Sequence, residues 1–152
     1  MAAKAENKPK ILIVDDNVPN LELLQAYLED IDCQTELSTD GYDALEKVKD
    51  GSVDLIILDV MMPRLSGFEV CSRLKSSPDT KNIPIIMVTA LTELGDIERA
   101  INSGTDDFLS KPVKKLELIT RVRTMLRIRD LTDKLERTLE YISEIESKLE
   151  NN

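Results

Sequence analysis

Short apolar runs alternate with stretches of helical periodicity along most of the chain, and that alternation predicts the fold. Ile11-Leu12-Ile13-Val14 is brief, β-branched and ends at Asp15-Asp16, as expected of a strand buried on both faces. Leu21, Leu24, Tyr27, Leu28 and Ile31 then recur at helical spacing, with Pro19 where a first helical turn tolerates it. Cys33 to Ser38 reads as a weaker, more polar strand, and Tyr42, Leu45 and Val48 outline a second helix that stops before Gly51. Val53 to Leu58 is strongly apolar and leads into Asp59. A loop punctuated by Pro63 and Gly67 precedes a helix face made by Phe68, Val70, Cys71 and Leu74. Ile83 to Val88 is another buried run reaching Thr89. Ile97, Ala100 and Ile101 mark a short helix, and Thr105 to Leu109 is a last short strand before Ser110-Lys111-Pro112.

Five strands alternating with helices predict a single doubly wound α/β domain, a five-stranded parallel sheet covered on both faces by right-handed crossovers. After Pro112, the residues Leu116, Ile119, Val122 and Leu126 fit the face of a last helix, and no Gly or Pro follows from 113 to 152 to end it. Ile128, Leu131, Leu135, Leu139, Ile142, Ile145 and Leu149 continue the stripe past what one domain surface covers. The expected organisation is therefore an unstructured segment over 1–9, a domain over 10–128 and a projecting amphipathic helix over 129–152. Such a helix is marginal in water unless its stripe is covered. A near-heptad reading puts Ile128, Leu135, Ile142 and Leu149 at one seam position and Thr132, Leu139 and Glu146 at the other, compatible with a parallel coiled-coil homodimer.

Composition narrows the chemistry. A chain of 152 residues is the size of about one domain, and with 41% hydrophobic but 3% aromatic residues its core must be aliphatic. The net charge of −9 and a pI near 4.6 argue against direct nucleic-acid binding, which needs clustered cations. There is no histidine, which removes His-dependent triads and His-ligated metals. Cys33 and Cys71 carry no paired-cysteine motif and read as two free thiols. No segment approaches the ~20 apolar residues that span a bilayer, and the opening MAAKAENKPK lacks the apolar stretch of a secretory signal. No membrane association and a cytoplasmic location are expected.

The polar residues at the strand ends carry the rest. Asp15 and Asp16 end the first strand, Asp59 the third and Thr89 the fourth, and Lys111 lies just beyond the fifth. In a doubly wound sheet these positions converge outside the carboxyl ends of the strands, where ligands bind. Carboxylates that close repel one another unless a cation sits among them, and an all-oxygen site with open positions suits Mg²⁺. A carboxylate can attack a phosphoryl group if the charge on the transferring oxygens is neutralised, and Lys111 and the Thr89 hydroxyl are available for that. Asp59, alone on the central strand, is the better nucleophile; the Asp15-Asp16 pair is the better metal cradle.

Asp15-Asp16, the run Leu58-Asp59-Val60-Met61-Met62-Pro63 with Gly67, Thr89-Ala90 and Lys111-Pro112 together resemble the response-regulator receiver domain of two-component signalling. The resemblance covers about residues 10 to 128 and implies a flavodoxin-like sheet with strand order 2-1-3-4-5 and phosphotransfer to Asp59 from a histidine kinase or histidine phosphotransfer protein. It further implies Mg²⁺ held by Asp16, Asp59 and the backbone carbonyl of Met61, with Asp15 helping through water, and Thr89 and Lys111 on the phosphoryl group. Phe108 falls where the family places its switch aromatic, so the expected output is a reshaped face of helix four, strand five and helix five. The Lys111-Pro112 bond is expected to be cis. The final helix resembles linkers to effector domains, including diguanylate cyclases, which leaves open whether the chain is a fragment of something longer.

Two other classes compete. A Mg²⁺-dependent aspartyl phosphatase of the haloacid-dehalogenase type would carry a second Asp where Met61 stands. A flavodoxin-like cofactor binder would carry a Gly- and hydroxyl-rich loop where Asp15-Asp16 stand and would repel a cofactor phosphate. Met61 and Leu91 offer apolar side chains to the attack path, so a long-lived acyl phosphate is expected.

Overall fold

The computed structural model describes residues 8–90 and 94–151. The elements follow in the order β1 (Lys10–Val14), α1 (Val18–Tyr27) with a 3₁₀ turn at Leu28–Asp30, β2 (Gln34–Ser38), α2 (Gly41–Lys47), β3 (Leu55–Asp59), α3 (Gly67–Ser76), β4 (Ile85–Thr89), α4 (Leu94–Asn102), β5 (Asp107–Ser110) and α5 (Lys115–Glu150). The five strands form one parallel sheet in the order 2-1-3-4-5. This is the doubly wound arrangement that the hydrophobic pattern predicts.

Burial explains which strand is which. β3 and β4 are buried at every position, and β1 at all but its first, because helices cover both of their faces. The edge strands β2 and β5 are more open, which is why QTELS and DFLS alternate less cleanly in the sequence. Successive side chains of each strand divide between two cores. Ile11, Ile13, Leu55, Ile57, Ile86 and Val88 meet α1 and α5 through Leu21, Leu24, Leu118 and Val122. Leu12, Val14, Ile56, Leu58, Ile85 and Met87 meet α2, α3 and α4 through Ala44, Val70, Leu74 and Ala100. Each fully buried aliphatic side chain contributes about 1.5–3 kcal/mol, so the central strands hold the sheet.

Caps set where the helices begin. Asn17 caps α1 by accepting from the Asn20 N–H at 3.0 Å, Asp40 caps α2 through the Asp43 N–H, and Ser66 caps α3 through the Glu69 N–H. Two expected helix faces differ from the periodic reading at their first residue, while Val48, Ile119 and Val122 are buried as predicted. In α2 the buried residues are Gly41 and Ala44 while Tyr42 points outward, lying 5.7 Å from Arg64 and 5.9 Å from Arg73. In α5 the domain buries Leu118, Ile119, Val122 and Met125, with Leu126 packed against them, whereas Leu116 is exposed.

α5 is one continuous helix of 36 residues, about 54 Å long at 1.5 Å per residue. Its buried residues end at Met125, yet contact with the domain continues: Asn82 donates to Glu136 at 2.6 Å, and Arg129 and Asp133 share a recess with Pro9 and Asp54. No described helix is long and apolar enough to cross a membrane. Cys71 is buried and Cys33 half-buried, both as free thiols. The expected segment 1–9 lies outside the described residues except for Lys8 and Pro9.

Candidate phosphoryl-acceptor site

The carboxyl edge of the sheet gathers the predicted acidic residues. Asp15, Asp16 and Asp59 each present an oxygen such that all three lie within 4.8 Å of one another. The neighbouring register of β1 and β3, with Val14 beside Leu58, brings the two strand ends level. Asp15 and Asp59 are buried at 2% and 3% exposure, and Asp16 faces solvent. The Asn17 backbone N–H donates to Asp15 Oδ1 at 2.9 Å, tying that carboxylate to the start of α1.

Lys111 reaches into the cluster from beyond β5. Its Nζ lies 2.9 Å from Asp59 Oδ1 and 3.8 Å from Asp15 Oδ2. Its backbone N–H donates to the Thr89 carbonyl at 2.8 Å, and the following bond to Pro112 is cis as expected. Thr89, 2% exposed, ends β4 beside Ser110. Among the described residues, Lys111 is the one cation within ion-pair distance of Asp59, so three carboxylates face one ammonium.

The charge balance shows in the protonation equilibria. Burial pushes the Asp59 carboxyl above its ordinary value; the Lys111 contact pulls it down, but the fields of Asp15 and Asp16 add to the burial and the net direction is up. Burial opposes the charged Lys111 ammonium, yet its bond to Asp59 and the charges of Asp59, Asp15 and Asp16 outweigh that and hold it above its ordinary value. The cluster is therefore short of positive charge. Asp59 Oδ1 is buried with Lys111 as its counter-charge, and the oxygen-only donor set fits a hard divalent cation such as Mg²⁺.

The loop after β3 is closed by a contact that periodicity could not reveal. The Gly67 N–H donates to the Val60 carbonyl at 2.9 Å, and a Cβ at Gly67 would stand 2.3 Å from the Asp59 carbonyl oxygen and 2.8 Å from Val60 Cα. Only glycine lets α3 start this close to the strand that carries Asp59. Met61 follows with its side chain 76% exposed. Phe108 stands on β5 with its ring half turned to solvent at 37% exposure. Leu91 lies outside the described residues. A groove beside the cluster runs from Asp15 and Lys111 to Leu23, Leu24, Tyr27 and Val113. Asn17, Gly67 and this groove are the features that the strand-end reading did not assign.

Comparison with known proteins agrees with the geometry. A family model described as the response regulator receiver domain matches residues 11–123. The chain is 40% identical over 126 residues to the response regulator PleD of Caulobacter vibrioides, covering 83% of this chain and 28% of that protein. It is 42% identical over 116 residues to the heme response regulator HssR of Staphylococcus epidermidis, covering 76% of this chain and 50% of that one. The chain thus spans half or less of the length of these relatives. Among solved structures, a putative response regulator from Chloroflexus aurantiacus superposes with a TM-score of 0.75 at 30% identity, covering 80% of this chain and 99% of that one.

Proposed function

The chain belongs to the response regulator receiver domain family, and from that premise we propose that Asp59 is its phosphoryl acceptor. Receiver domains are phosphorylated by histidine kinases, and the donor here is a histidine kinase or a histidine phosphotransfer protein. A carboxylate oxygen of Asp59 attacks the phosphorus of the donor phosphoimidazole; the new O–P bond forms as the N–P bond breaks and the donor imidazole departs with the electron pair. The observation that carries this reading is the three-carboxylate cluster, with Asp15 and Asp59 buried, that Lys111 only partly neutralises.

Asp16, Asp59 and the Met61 backbone carbonyl would hold Mg²⁺, with Asp15 acting through water. When bound, the ion neutralises charge on the transferring oxygens. Lys111 supplies the second positive charge from the protein, and the Thr89 hydroxyl meets a phosphoryl oxygen. The apolar groove along Leu23, Leu24 and Tyr27 opens beside Lys111 and offers the donor protein a seat. Phe108 would turn inward with Thr89, changing the face of α4, β5 and α5. Apart from this self-directed chemistry no catalytic role is assigned; an aspartyl phosphatase reading lacks its second Asp at Met61.

Output runs through assembly in this reading. The exposed stripe of α5 pairs two chains into a homodimer, and any effector attached to a longer form would follow that helix. Acetyl phosphate with Mg²⁺ should label the wild type stoichiometrically at Asp59 and leave Asp59→Asn unlabelled. Equal labelling of the two proteins would remove Asp59 from the role. Because the Met61 side chain cannot orient a water, the acyl phosphate should last well beyond seconds by phosphate-release assay.

A further inference from the structure

Beyond its buried turns α5 presents two faces that point different ways. One is polar and lies against the amino-terminal edge of the sheet, where Glu136 accepts from Asn82 and Arg129 and Asp133 face Pro9 and Asp54. The other is apolar: Ile128, Leu131, Leu135, Leu139, Ile142, Ile145 and Leu149 are each 40–69% exposed. At about 100° per residue, the centre of the stripe lies roughly 140° around the helix from the line through Arg129, Asp133 and Glu136. The domain can therefore hold one side of the helix while the other is covered.

We propose that the stripe seats the same stripe of a second copy, helices parallel, while each domain stays braced against the outer side of its own helix. This rests on the homodimer reading above and adds its geometry. With Ile128, Leu135, Ile142 and Leu149 at one seam position, a three-residue step puts Leu131, Thr138 and Ile145 at the second, in place of Thr132, Leu139 and Glu146, of which Thr132 is half-buried against its own domain. One flank of the seam is then Arg127, Lys134, Tyr141 and Lys148, and the other is Thr132, Leu139 and Glu146.

Charge selects the direction. Parallel packing lays the first flank of one helix against the second flank of its partner, so Lys134 meets Leu139 and Tyr141 meets Glu146. Antiparallel packing lays the cationic flank against itself and sets Lys148 opposite Arg127 or Lys134, depending on register. Like charges at those sites disfavour it. Because the brace engages the far side of the helix, dimerisation does not require the domains to let go.

The test uses the full chain carrying Cys33→Ser, with Leu149→Cys added at the exposed tip. Under mild oxidation at tens of micromolar most chains should become covalent dimers, alongside a dimer mass by light scattering. In an antiparallel pair the two introduced thiols would be ~30 Å apart, so a dimer mass without the cross-link overturns the parallel arrangement. A monomer mass instead removes the homodimer reading itself. The brace is tested by Asn82→Cys with Glu136→Cys, also in the Cys33→Ser background, bridged within each chain by a short bis-maleimide. A dimer mass that survives bridging supports simultaneous contacts, and dissociation on bridging overturns them.

Discussion

The two edges of the sheet handle charge in opposite ways. At the amino-terminal edge half-buried charges sit in pairs: Lys75 Nζ lies 2.7 Å from Asp106 and also donates to the Lys81 and Ile83 carbonyls, while Lys10 Nζ lies 2.7 Å from Glu36. Asp54 accepts the Lys10 backbone N–H at 2.9 Å. At the carboxyl edge three carboxylates share Lys111. Matched charges fix loops and strand entries. Unmatched carboxylates leave a site that gains when positive charge arrives, so the same residue types serve structure at one edge and chemistry at the other.

The sharpest way to break that comparison is to remove the cation from each edge in turn. Lys111→Ala should slow labelling by acetyl phosphate about 10²–10³-fold, the usual loss for one transition-state charge contact, while leaving Mg²⁺ binding measurable by calorimetry. A labelling rate within a few-fold of wild type would show that Lys111 serves the fold alone. At the other edge, Lys75→Met strands the carbonyls it served and should cost about 2–3 kcal/mol of stability, seen as a lower midpoint in urea. Its Mg²⁺ affinity should be unchanged. If instead Lys75→Met weakens Mg²⁺ binding tenfold, the two edges are not independent.

Much of this division was legible in the sequence because strand ends are the one place where an apolar run stops on a named polar residue. Asp15, Asp59 and Thr89 each close such a run, and topology alone then brings them to one edge. The amino-terminal edge was not legible. Lys75 and Asp106 are separated by a helix end, a strand and another helix, and nothing in local periodicity links them. Gly67 stood in the sequence as loop punctuation, and its close approach to Asp59 depends on how α3 packs on β3. In α5 the periodic face held at Ile119, Val122 and Leu126 but took in Leu116 in place of Leu118, since apolar spacing does not tell which of two leucines two residues apart meets the core.

The smallest effect concerns the unmatched charge itself. Burial and the fields of Asp15 and Asp16 raise the Asp59 carboxyl above its ordinary value despite Lys111, so the ionised form is held at a cost in the folded protein. For an acid shifted upward, that cost is fully present above the folded value and fades as pH falls through it. It is gone below the unfolded value near 3.8. Asp59→Asn removes the cost, and in Mg²⁺-free buffer at neutral pH it should stabilise the protein by about 1 kcal/mol, or a rise of roughly 2–4 °C in Tm. The advantage should shrink on acidification, because wild-type Asp59 then takes up a proton and becomes nearly as neutral as the amide. It should also shrink when Mg²⁺ is added to both proteins, since the wild type gains more from the ion. A destabilised Asp59→Asn at neutral pH without Mg²⁺ would mean that the Lys111 contact outweighs burial and repulsion, and that the carboxyl edge is matched after all.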